Sequence, residues 1–282
     1  MRRLFWNAEQ GRLRTLWRLL GQAFLLYGGL IVLGLLVGGL VYLLLRPPLE
    51  GGVPAPAWPP LLGVLERAIS ALVAVGSVWL ASRFLDRRRF ADLGFHLQRA
   101  WWLDLGFGLA LGAILMLGIF LVEWGAGWIT VTGVLRADGP PLLPGIAAGL
   151  AAFIAVGFYE ELISRGYQLH NLAEGLSFRP LGLRWGLIAA WVISSVVFGL
   201  LHAANPNATA LSTALLVLAG LFLGLGYILT GELAIPIGLH VTWNFFQGNV
   251  FGFPVSGTRV GASLIAIRQG GPELATGGAF GP

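Results

Sequence analysis

The sequence predicts an all-α fold: a polytopic transmembrane helix bundle of about seven spans, with a polar intramembrane cavity formed by the last four. Three observations carry that prediction. The 282 residues are 56% hydrophobic and 11% charged, with a mean hydropathy of +0.79, whereas soluble domains carry about 25% charged residues. Apolar runs of roughly 20 residues, the length that crosses a bilayer core, recur along the chain. Carboxylates, imidazoles and an amide interrupt the late runs, where insertion costs roughly 2.5–3.5 kcal/mol per charge.

The elements follow in order. Residues 1–19 form a basic N-terminus with Arg2, Arg3, Arg12, Arg14 and Arg18; no small-residue cleavage site follows, so the first span is read as an uncleaved anchor. Spans at 20–45, 64–84 and 102–123 make an N-terminal transmembrane region, 20–142. Spans at 143–171, 184–204, 208–230 and 234–253 make a catalytic-like region, 143–253. Residues 46–62 hold Pro47, Pro48, Pro54, Pro56, Pro59 and Pro60 and are read as an extended outer loop. Residues 254–282 are a Gly-rich tail, whose apolar patch at 264–267 is too short to cross.

Glycines one turn apart, at Gly34 and Gly38, Gly108 and Gly112, and Gly220 and Gly224, suit close helix packing. Arginines cluster at the N-terminus, at Arg83, Arg87, Arg88, Arg89 and Arg99, and at Arg179 and Arg184. The positive-inside rule then places the N-terminus in the cytoplasm. Trp58, Trp101 and Trp102 are expected as interfacial anchors, and Asp104 and Glu123 as interfacial acids. All 18 basic residues are arginine, a compositional bias and not a nucleic-acid footprint; no nucleic-acid partner is expected. With no cysteine, disulfides and thiolate metal sites are excluded.

Four polar sites interrupt the last four spans. Glu160 and Glu161 precede Arg165; Glu161 and Arg165 are one helical turn apart and can pair. His202 ends the run Phe198-Gly-Leu-Leu-His202. His240 and Asn244 share a helix face at four-residue spacing. A desolvated carboxylate can act as a general base, histidine can share that work, and an asparagine amide can donate to a developing oxyanion. Glutamate with two imidazoles is also a zinc-compatible set. Singly, each group is compatible with a polar joint between helices; together, in this order, they point to hydrolysis. His96 and His170 are expected to be solvated. The stretch 233–238 carries Pro236 and Gly238 and is expected to enter as non-helical backbone lining a cavity. The reading requires His240 within about 10 Å of Glu160, the reach of joint hydrogen bonding through one water.

The order Glu-Glu-x-x-x-Arg, Phe-x-x-x-His, His-x-x-x-Asn, here Glu160, Glu161 and Arg165, then Phe198 and His202, then His240 and Asn244, resembles the CPBP family of intramembrane proteases. That family includes the type II CAAX prenyl endopeptidases and the bacterial Abi proteins. The resemblance covers about residues 143–253. It implies that Glu160 and His202 activate a water, that Asn244 and His240 stabilise the oxyanion or complete the site, and that Arg165 orients Glu161. Glutamate is favoured as base without a firmly bound metal; were zinc present, Glu160, His202 and His240 would hold it. The implied partners are the lipid bilayer and a hydrophobic, membrane-tethered or prenylated peptide. The tail at 277–282 resembles a loop that leads to a further helix in relatives. The rival readings are a transporter or scaffold using the buried Glu and His groups for proton relay or partner binding, and a peptide-binding relative without activity.

Overall fold

The computed structural model describes residues 2–45, 49–50, 53–54, 60–139, 141–178 and 181–282. Trp58, Arg46, Arg179 and the prolines at 47, 48, 56 and 59 lie outside the described residues. The chain forms two units, Met1–Phe90 and Ala91–Pro282.

The first unit opens with α1 (Arg2–Phe5) and the two-residue strands β1 (Trp6–Asn7) and β2 (Arg12–Leu13), which pair antiparallel. Helix α2 (Thr15–Leu45) follows, then the small ladder of β3 (Leu49–Glu50) and β4 (Val53–Pro54), then α3 (Pro60–Leu80). Pro60 opens α3, where a missing N–H is harmless. Helix α2 presents Phe24, Leu35 and Leu44 outward, as a lipid-facing helix does. Arg18, read from the sequence as part of the N-terminus preceding the first span, is instead within it. Helix α2 begins at Thr15, so Arg18 is already inside it, where its Nη1 donates to Asp86 Oδ1 at 2.6 Å with both side chains buried. Gly34 and Gly38 face open space and pack on nothing within the described chain.

The second unit holds α4 (Arg99–Gly125), β5 (Ile129–Ala137), α5 (Leu142–Glu161), a π-helical segment at Leu162–Leu169, and α6 (His170–Leu176). Then come α7 (Gly182–Leu201), α8 (Ala210–Thr230), α9 (Ala234–Phe245), a π-turn at Phe246–Val250, β6 (Ala262–Gln269) and α10 (Glu273–Thr276). Glycines set the packing. A Cβ on Gly108 would overlap the Ile235 carbonyl, and one on Gly112 would meet Leu239 and Thr242. Helices α4 and α9 therefore run side by side in the same direction. Gly149 meets Asn249 and Gly157 meets Val241, so α5 runs antiparallel to α9. Gly220 and Gly224 seat against Ser195 and Trp191 of α7.

Six helices among the described residues are long and apolar enough to cross a membrane. The seventh segment is a 12-residue α9 continued by a five-residue π-turn. This is near the lower end of the roughly 17–25 residues that span, and it tracks α4 over its length. The expectation of non-helical backbone at 233–238 is corrected: Ala234 to Gly238 are helical. Pro236 falls in the first turn, where N–H groups have no intrahelical acceptor. Gly238 is there because α4 approaches so closely that a Cβ would overlap the Leu105 carbonyl.

The tail is also more ordered than a Gly-rich loop. Its patch at 264–267 is the middle of β6, which pairs antiparallel with β5 from Ile129↔Gln269 to Ala137↔Ala262. Phe120, Ile129, Phe251, Phe253 and Ile267 form a core beneath that ladder. Glu123 sits at this end of α4 and is buried, not interfacial, with neither carboxylate oxygen bonded among the described residues. Trp102 is exposed as an anchor would be, whereas Trp101 is buried and donates to the Gly94 carbonyl at 3.0 Å.

Candidate active site

The site lies where α5, α7, α8 and α9 meet. Glu160 and Glu161 are the last residues of α5, and the π-helical segment begins at once after them. Such wide turns are frequent at functional sites. Here the segment buries Arg165 beneath α8. Arg165 Nη1 donates to Glu161 Oε1 at 3.0 Å and its Nη2 to the Gly220 carbonyl at 2.9 Å. The guanidinium also lies 4.5 Å from the centroid of the Phe198 ring, a cation–π contact. Both Glu161 and Arg165 are buried, at 0% and 1% side-chain exposure, so each charge has its partner where water cannot replace it.

The histidines are fixed from behind. His240 Nδ1 lies 2.7 Å from Glu161 Oε1, so Nδ1–H donates to the carboxylate. His202 Nδ1 lies 2.8 Å from the Phe198 carbonyl and donates to it. Each ring in its neutral form then presents an Nε2 lone pair on its other side. Those two Nε2 atoms converge on one oxygen: Glu160 Oε2 is 3.7 Å from His202 Nε2 and 3.9 Å from His240 Nε2. The same oxygen has no hydrogen-bond partner among the described residues. The Phe198 ring fills the angle between the imidazoles, at centroid distances of 4.8 Å from His202 and 6.3 Å from His240.

A cavity of about 770 Å³ opens onto this group, with Phe198, His202, His240, Asn244 and Gln247 in its wall. Five of the six residues singled out from the sequence (Glu160, Glu161, Arg165, His202 and His240) form one connected network. The sixth, Asn244, lines the same cavity one turn from His240. Glu160 takes no part in the Glu161–Arg165 pair and faces both imidazoles. His96 and His170 stand apart, bonded to Glu232 at 2.8 Å and Tyr227 at 3.2 Å.

Among the described residues no group of three His, Cys, Asp or Glu is arranged as a metal centre. The donors are of the zinc kind, but 3.7 and 3.9 Å is wider than the ~3.3 Å between neighbouring donors on a tetrahedral zinc with bonds of about 2.0–2.1 Å. Sequence reasoning missed Gln247 and the tail. Gln247 had a signal, standing three residues after Asn244 on the same helical face; the tail had none, because its ties to β5 and to Asn207 are long-range.

Residues 142–246, a segment holding all six of these residues, match the family described as Type II CAAX prenyl endopeptidase Rce1-like. The chain is also similar to the uncharacterized protein YyaK of Bacillus subtilis (strain 168). The two are 29% identical over 247 residues, covering 82% of this chain and 77% of that protein. No solved structure matches.

Proposed function

Because its residues 142–246 belong to the Rce1-like type II CAAX prenyl endopeptidase family of CPBP proteins, we propose that this integral membrane protein is an intramembrane endopeptidase. It cleaves a membrane-associated or hydrophobic peptide with a water activated by Glu160. The observation that supports this best is the convergence of Glu160 Oε2 and two imidazole Nε2 atoms at 3.7 and 3.9 Å, beside a cavity that Asn244 lines. A water seated between Glu160 and either imidazole would lie within hydrogen-bond reach of both at about 2.6–3.2 Å.

In this reading Glu160 takes a proton from the water as its oxygen bonds to the peptide carbonyl carbon. The carbonyl oxygen becomes an oxyanion and accepts from the Asn244 amide. The C–N bond then breaks, and the proton held by Glu160 passes to the leaving nitrogen, directly or through His202. The products are a carboxylic acid and an amine, and the acid proton then passes to the amine to leave a carboxylate and an ammonium. Glu161 and Arg165 do not touch substrate; they hold His240 in one tautomer and orientation. If zinc binds, Glu160, His202 and His240 would hold it, and it would supply Lewis acidity to the carbonyl and a more acidic water.

The test is cleavage of a mixed peptide library, prenylated peptides included, by the detergent-purified protein and by Glu160→Ala, each with and without a chelator. Cleavage abolished by the substitution is expected, and the chelator arm separates the two modes of water activation. Equal cleavage by both proteins would overturn the glutamate mechanism. Proton uptake into vesicles that survives Asn244→Ala, with no cleavage, would favour a transporter.

A further inference from the structure

The cavity has a wall that the family-matched segment does not supply. Phe280 and Gly281, far outside 142–246, line it together with His202 and His240. Phe280 is buried at 7% exposure, and the segment that carries it is fastened at both sides of the site. On the His202 side, the Gly257 N–H donates to the Phe280 carbonyl at 2.9 Å. The Gly257 carbonyl in turn accepts from Asn207 Nδ2 at 2.9 Å. Asn207 belongs to the short loop that leaves His202 and ends at Thr209, whose side chain caps α8. On the α9 side, Gln247 Nε2 donates to the Pro254 carbonyl at 2.6 Å, and Gly281 lies so close to that carbonyl that a Cβ would overlap it. Gly277 and Gly281, both at positive φ, let the chain fold tightly enough to enter this space.

We propose that the segment 276–281 is the size gauge of the substrate cavity: Phe280 is its specificity-determining wall, and Asn207, through Gly257, is a positioning residue for the loop that follows His202. This rests on the peptidase reading of the site. An apolar wall discriminates by the space it leaves. A single methylene in a hydrophobic pocket is worth about 10–200-fold in selectivity, so replacing a phenyl ring there moves the preferred side-chain size. Asn207 adopts φ +59°, so Asn207→Gly keeps the backbone conformation and removes only the amide tie.

The experiment uses the full chain in detergent and fluorescent peptides identical but for one apolar residue, graded from Ala through Val, Leu and Phe to Trp. Binding is read in a Glu160→Gln background, so that it is independent of cleavage, and kcat and KM are read without that substitution. Phe280→Ala is expected to shift the ratio of Trp-peptide to Ala-peptide binding about tenfold or more toward the larger residue. Phe280→Trp is expected to shift it the opposite way, and Phe280→Leu serves if either variant fails to keep the parent's melting midpoint. Asn207→Gly is expected to lower kcat at unchanged KM. An identical size ranking in parent, Phe280→Leu and the folded members of the pair would overturn the gauge while leaving the peptidase reading intact. Binding of none of the peptides by the parent would overturn both.

Discussion

At the scale of single residues, one carboxylate is held and the other is left exposed to chemistry. Glu161 Oε1 accepts from Arg165 and His240 at 3.0 and 2.7 Å, and these two bonds make it a fixture. Arg165→Ala is expected to destabilise the protein by about 3–5 kcal/mol, because it leaves a buried carboxylate without its cation. Reversible unfolding in detergent would measure this, and a loss below ~1 kcal/mol would show the pair to be solvated. Arg165→Lys should not restore stability, since an ammonium cannot reproduce the two-pronged bonding to Glu161 and the Gly220 carbonyl. Asn244→Ala is expected to lower kcat by about 100–1,000-fold, the usual worth of one oxyanion donor, with KM nearly unchanged. An equal loss in KM and none in kcat would move Asn244 to substrate binding. The identities of these residues were legible in the sequence because charge and amide groups are conspicuous among apolar ones. Their directions were not: the facing of Glu160 toward both imidazoles depends on tertiary packing that spacing along one helix does not encode.

At the scale of elements, the apolar runs gave away the long helices, since few other structures accommodate twenty successive apolar residues. Helix α9 was harder. Its Pro236 and Gly238 are helix breakers in isolation, and they are tolerated here only by their positions in the first turn and against α4. The paired glycines separate in the same way. Gly112→Leu is expected to destabilise by about 1–3 kcal/mol or more, because overpacking must push α4 off Leu239 and Thr242. Gly38→Ala, which meets open space, is expected to be neutral or to stabilise by up to ~1 kcal/mol through helix propensity. Thermal unfolding of the two variants side by side decides this, and similar shifts would deny that the spacing has different work at the two sites. Strands β5 and β6 were not legible because each has its partner over a hundred residues away, so no local turn signal exists to mark the pair.

At the scale of the whole molecule, the second unit has two distinct ends. The Leu233 N–H bonds to the Gly94 carbonyl at 3.0 Å at one end, and the β5–β6 ladder and the tail form the other. We propose from the positive-inside rule that the arginine-rich loop at 87–99 is cytoplasmic, which would turn the tail and the cavity mouth outward. The absence of cysteine makes the test direct. Leu97→Cys is expected to react with a membrane-impermeant thiol reagent from the cytoplasmic face alone, and Leu274→Cys from the opposite face alone. Both residues are exposed, at 57% and 75%, so access is not limiting. Labelling of both from one face would overturn the crossing pattern, and inverted labelling would open the cavity to the cytosol.

The ladder between β5 and β6 also sets a clock. Membrane helices enter the bilayer in the order in which they are synthesised, and all six residues of the candidate site have been made by Asn244. Strand β5 must nevertheless wait for β6, and the loop between them is one of the longest closures in the chain. The cavity wall that follows β6 comes later still. Synthesis therefore delivers the side chains of the candidate site before the ladder and the segment that walls its cavity, and until those follow the site stands without that wall.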